Sequence, residues 1–154
     1  MTGRYTAYVL DPILARFTTQ NLPNVRPNTI KNILGVEAVD TVAFDRQHTV
    51  YFNDEGLQNG ISHYITIHGQ PDPVVGVLVL LANPETGSRK PLIPIENAVS
   101  AFSLYRPVMD PIVTAARASH GDVTTFVSAI EGFATRTECF PLQVVARSSR
   151  KTGR

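Results

Sequence analysis

The chain has 154 residues, 43% of them hydrophobic and 18% charged, with 14 Lys and Arg against 13 Asp and Glu and a net charge of +1. That size matches one ordinary domain, and such apolar content with so little net charge excludes a disordered chain, a globally basic nucleic-acid binder and an acidic mimic of DNA. Cys139 stands alone, which excludes an intrachain disulfide. The first residues lack the apolar stretch of a secretion signal, and the longest apolar run, Val74 to Ala82, is about half a bilayer crossing, so a cytoplasmic domain without a membrane is expected.

Tyr5-Thr6-Ala7-Tyr8-Val9-Leu10 has the β-branched and aromatic content of a strand, stopped by Asp11-Pro12. A Pro- and Asn-rich connection follows. Pro27 to Gly35 reads as a short helix, with Ile30, Ile33 and Leu34 on one face and Gly35 where helices commonly end. Val36, Ala38, Val42 and Phe44 alternate with polar residues as a half-wet strand. Thr49 to Phe52 reads as the next strand, closed by the turn residues Asn53-Asp54-Glu55-Gly56, and Asn59-Gly60 is a second turn signal. Ser62 to His68 alternates again. The run from Val74 to Ala82 reads as a central strand buried on both faces, and Pro91-Leu92-Ile93-Pro94 as a short edge segment.

Beyond Pro94 the spacing changes. Ile95, Ala98, Val99 and Phe102 recur at helical intervals. Pro111 to Ala118 continues as a second helix capped by Asp110, and Val123, Phe126, Val127 and Ile130 form the stripe of a third, capped by Asp122. Pro141 to Ala146 could be a late strand rejoining the sheet. The expected fold is therefore α+β: a mixed or antiparallel sheet of about five strands with one short helix over residues 5–94, then a mainly helical part over 95–135. One domain, 1–146, carries a solvated basic tail, 147–154. Residues 1–100 hold seven cations and nine anions, net −2, while 101–154 hold seven and four, net +3, mostly through that tail.

The residues that could carry chemistry form no enzyme signature. His63 and His68 are five apart and point to opposite sides of a strand, and His48 finds only Asp45, Asp54 or Glu55 to complete a ligand set, so no metal is expected. Asp54 and Glu55 are adjacent and diverge in direction. Gly87-Ser88-Arg89-Lys90 lacks the spacing of a phosphate loop, and Cys139 lacks the surroundings of a nucleophile. No cofactor and no catalytic residue is assigned.

Val50-Tyr51-Phe52-Asn53-Asp54-Glu55-Gly56-Leu57-Gln58-Asn59-Gly60, followed by Val74-Val75-Gly76-Val77-Leu78-Val79, resembles a family of small uncharacterised domains carried by phages, plasmids and other mobile elements. The likeness runs over about residues 5–83 and includes the short helix ending at Gly35 and the strand from Val36-Glu37. It implies an accessory protein with a compact α+β fold, and no activity. The leading expectation is a non-enzymatic binding protein that contacts a macromolecule, a protein of the host or element before nucleic acid. A first alternative is weak nucleic-acid binding through Arg89, Lys90, Arg147, Arg150, Lys151 and Arg154, with salt-sensitive affinity. A second is a small-ligand site or metal-assisted enzyme at Asp54 and Glu55 with His63.

Overall fold

A computed structural model describes residues 3–56 and 61–145 of the chain. The described residues contain nine strands and two short α-helices, with a single 3-10 turn at Pro84–Thr86: β1 (Tyr5–Asp11), β2 (Arg16–Leu22), α1 (Pro27–Leu34), β3 (Val39–Ala43), β4 (His48–Asn53), β5 (Tyr64–Ile67), β6 (Leu78–Ala82), α2 (Ile95–Val99), β7 (Phe102–His120), β8 (Val123–Phe140) and β9 (Gln143–Val145). They form a six-stranded sheet in the order β3-β4-β6-β1-β2-β9 and a three-stranded sheet, β5-β7-β8. All pairings are antiparallel except β2 with β9.

The large sheet is covered on both faces, which explains why its middle strands are apolar without alternation. On one face, Ala7, Val9, Leu22, Val79 and Leu81 pack with Ile30 and Leu34 of α1. On the other, Tyr8, Leu10, Phe17, Val50, Leu78 and Leu80 meet the small sheet and α2 through Ile65, Ile67, Phe102, Leu104, Ile95 and Ala98. Phe102 anchors the junction between the sheets, its ring centroid 5.5 Å from Phe17 and 5.7 Å from Phe44. α1 begins with Pro27 in its first turn and ends at Gly35, whose φ of 66° lies in the left-handed region that glycine adopts without a steric penalty.

The α+β expectation is overturned. The fold is mostly sheet, and the part beyond residue 95 is not mainly helical. Only Ile95–Val99 is α-helical there, while the stretches expected as the second and third helices are β7 and β8, paired from Leu104 opposite Phe140 to His120 opposite Val123. Asp110 and Asp122 cap no helix: Asp110 lies within β7, and Asp122 sits with Gly121 in the turn between the strands. Val123, Phe126, Val127 and Ile130 do fall at helical intervals, but a strand wet on both faces leaves no period of two to read. Its β-branched content and the prolines at 107 and 111 favour extended backbone.

Three smaller differences have equally local causes. The connection after Pro12 contains a full strand, β2, paired over seven residues with β1; its sequence, Arg-Phe-Thr-Thr-Gln-Asn-Leu, buries only Phe17 and Leu22 and so carries little apolar signal. Asp11 closes the intervening turn by accepting from the Ile13 and Leu14 N–H groups at 2.9 and 3.2 Å. Pro91 to Pro94 joins no ladder; side chains hold it, with the Tyr8 hydroxyl donating to the Ile93 carbonyl at 2.6 Å. The central strand is shorter than its apolar run, because Gly76 takes φ 91° and leaves only Leu78–Ala82 in the ladder. The late strand, β9, lies within the stretch 141–146.

Candidate functional site

The three expected groups of site residues do not converge. Asp54 stands in the turn after β4 and, with Asp40 and Asp72, lines an open cleft floored by Val42, Phe52 and Ile67. Neither Glu55 nor His63 lines that cleft. The Asn53 side chain accepts the Glu55 N–H at 3.1 Å, which is ordinary turn chemistry. His63 is buried elsewhere: its Nε2 accepts the Gly76 N–H at 3.1 Å and its Nδ1 lies 3.2 Å from the Ser62 hydroxyl. Burial, and after it the Arg106 charge, hold the His63 imidazole below its ordinary pKa, with Asp11 opposing. Among the described residues no three His, Cys, Asp or Glu side chains come close enough to hold a metal ion.

Arg89 lies with its guanidinium 5.5 Å from the centre of the Tyr5 ring, beside a cleft lined by Tyr51, Leu81 and Ser88; Lys90 does not line that cleft. The loop itself is tied down, since the Arg89 carbonyl accepts the Thr6 N–H at 2.7 Å and the Ser88 hydroxyl donates to the Lys90 carbonyl at 2.6 Å. Arg147, Arg150, Lys151 and Arg154, like the turn signal Asn59-Gly60, lie outside the described residues. Cys139 is exposed near the root of β8.

One pair does resemble catalytic machinery. His48 is buried, and its Nδ1 donates to the Asp45 carboxylate, 2.8 Å from Oδ1 and 2.9 Å from Oδ2. Its Nε2, however, accepts the Leu92 main-chain N–H at 2.9 Å. With that lone pair occupied, the ring is a neutral tautomer with no basic nitrogen open to a substrate. Burial would raise the Asp45 carboxyl, but the Gln47 N–H and the His48 ring outweigh it and hold the pKa below the usual value. The pair is a brace joining β4 to the 91–94 segment.

The feature that the sequence reading misses altogether is the β7–β8 arm. Its root is built into the core through Phe102, Leu104 and Phe140. Arg106 pins the root to the β1–β2 turn, donating to the Pro12 carbonyl and, at 2.9 Å, to the Ile13 carbonyl, with its guanidinium 4.7 Å from the Phe140 ring centre. Beyond Pro107 no arm residue belongs to either core cluster. At about 3.3 Å per residue the paired strands from there to the turn run roughly 40 Å.

The register assigns each arm side chain to a face, because residues directly opposite share one. One face presents the rungs Met109–Thr135, Pro111–Phe133, Val113–Ile130, Ala115–Ser128 and Arg117–Phe126. The other presents Ile112–Gly132, Thr114–Ala129 and Ala116–Val127, with Arg136 bridging Asp110 at 2.6 Å and Glu138 at 3.0 Å nearer the root. A register shift at Ile112 and Val113 leaves Glu131 without an opposite residue, which is how Ile130 and Phe133 come to lie on the same face. Met109, Val113, Phe126, Ile130 and Phe133 are each more than half exposed. An isolated two-stranded ribbon is marginal in water, and large apolar side chains gathered on one surface mark a contact surface. An alternation of apolar and polar residues would have signalled a strand here; with apolar residues on both faces, the signal is missing.

A relative found among characterised and uncharacterised proteins places the chain. The uncharacterised protein y4iR of Sinorhizobium fredii is 33% identical over 114 residues, spanning 71% of this chain and 70% of y4iR. The chain belongs to the y4iR family. The protein PsiB of Rhizobium leguminosarum bv. phaseoli is 28% identical over 85 residues, 54% of this chain and 63% of PsiB, so the likeness covers less than two-thirds of that relative. No family model and no solved structure matches. The expected likeness to an uncharacterised protein is thereby established. No helix among the described residues is long and apolar enough to cross a membrane.

Proposed function

We propose that this protein is a non-enzymatic accessory protein of a mobile-element type that acts by contact with another protein, and that the β7–β8 arm makes the contact. The observation that carries this reading is the arm itself, a long ribbon rooted in the core whose apolar side chains contribute nothing to that core. The occupied Nε2 of His48 supports it, since the pair that looks most like an acid–base site is committed to the fold. The resemblance of residues 50–60 and 74–79 to mobile-element proteins supports the accessory role.

Capture of partners by the tagged full-length protein from its native host's lysate, before and after nuclease and in high salt, tests the reading. A variant with Phe126→Lys and Val127→Lys recharges both faces of the arm without touching the core. A protein partner held through both treatments by the parent and lost by the variant is the expected result. Capture of nucleic acid alone, lost in salt, refutes the reading in favour of the basic residues, and partner capture that the variant retains refutes the role of the arm.

A further inference from the structure

We propose that the Met109–Phe133 face of the arm is covered by the same face of a second copy of this chain, two arms stacking about a two-fold axis. This names one partner of the arm and rests on reading the arm as a contact element. Three observations carry it.

The first is area. Five large apolar side chains on that face are each more than half exposed. At on the order of 100 Å² apiece, they withdraw about 1,000 Å² from water over two copies, close to the 1,200 Å² at which stable interfaces begin, before flanking residues are added.

The second is shape. An isologous interface must be complementary to itself. Along this face a small rung, Ala115–Ser128, separates the bulky rungs Val113–Ile130 and Arg117–Phe126, and the small Ser119–Thr124 rung closes the distal end as Pro111–Phe133 closes the proximal one. A two-fold axis at Ala115–Ser128 lays Phe126 of one copy beside Val113 and Ile130 of the other. It also lays each Phe133 against the partner's small distal rung. Bulky meets small only at the two ends; the Val113–Ile130 and Arg117–Phe126 rungs stack on each other, and the thin rung meets its own copy at the centre.

The third is charge. Arg117 is the one formal charge on the rungs from Met109 to Ser119 of this face, so the axis brings no like charges together at its centre. The opposite face, with Ile112 and Val127, stays free for a different macromolecule.

Sedimentation of the full-length protein tests this with variants at Ser128, an exposed position on the axis where no core packing is at stake. The parent is expected to be a dimer at on the order of 10 µM. Ser128→Lys brings two ammonium groups together and is expected to weaken association about tenfold or more, and Ser128→Glu likewise. An equimolar mixture of the two variants is expected to recover the dimer, a result that only apposition of this face with itself produces. A parent that remains monomeric, a dimer indifferent to both variants, or a mixture that fails to recover overturns the proposal. A monomeric parent that still captures its macromolecular partner through the arm overturns the self-association while leaving the accessory reading standing. A dimer behaving as expected that captures nothing supports the self-association and removes the accessory reading.

Discussion

Phe126→Ser separates what the arm does for the fold from what it does for association. Phe126 is 76% exposed and opposes Arg117 far from either core cluster. In the single chain its loss removes no buried contact, so the cost is bounded by the difference in strand preference, below about 1 kcal/mol. In a stacked dimer the same ring goes dry. A phenylalanine offers about 200 Å² and three-quarters of that is in water in the single chain, so at about 25 cal/mol per Å² its burial is worth up to about 4 kcal/mol per copy. Ordering of the side chain reduces that to roughly 2–3 kcal/mol. Urea unfolding well below the dimer dissociation constant reads the first quantity, and sedimentation at high concentration reads the second. A fall of more than about 2 kcal/mol in the dilute protein would refute the reasoning, because it would mean that Phe126 packs against the core in solution.

Core and brace substitutions are expected to behave in the opposite sense. Leu10, fully buried between the sheets, is expected to cost about 2–5 kcal/mol on change to Ala, at every protein concentration, in denaturant unfolding. His48→Ala strands the Leu92 N–H and the Asp45 carboxylate and is expected to cost about 2–4 kcal/mol, and the same unfolding experiment checks it. His63 has a folded pKa below its unfolded value of about 6.5, so the unfolded chain binds the extra proton first. Its share of stability is intact above pH 6.5 and is lost as pH falls from there through the lower folded value. Urea midpoints measured from pH 7.5 to 5 are expected to fall less steeply for His63→Gln than for the parent, and parallel slopes would remove His63 from the account.

How much of this was legible in the sequence differs from one element to the next. α1 was, because an eight-residue helix with one buried stripe, a leading proline and a terminal glycine carries its own period and boundaries. The central strand was, because burial on both faces requires an unbroken apolar run, and only the backbone turn at Gly76 shortens it. β2 was not, since five of its seven side chains face water or the sheet margin and its place is set by the ladder to β1. Asp54, Glu55 and His63 were legible as chemically capable groups. That Glu55 and His63 lie away from the Asp54 cleft, and that the Nε2 of His48 is taken by a main-chain N–H from residue 92, are facts of tertiary placement that no local spacing encodes.

The arm shows the division most clearly. By itself the sequence determined the composition of residues 102–140: β-branched, rich in apolar residues and interrupted by prolines. Local periodicity reports which side of an element is buried, and an element buried on neither side has no period of its own. Chance spacing of Val123, Phe126, Val127 and Ile130 then mimics a helix. Only the pairing of β7 with β8, anchored at Phe102, Leu104 and Phe140 and carried outward by main-chain hydrogen bonds, decides that these residues are strands and which of them share a face.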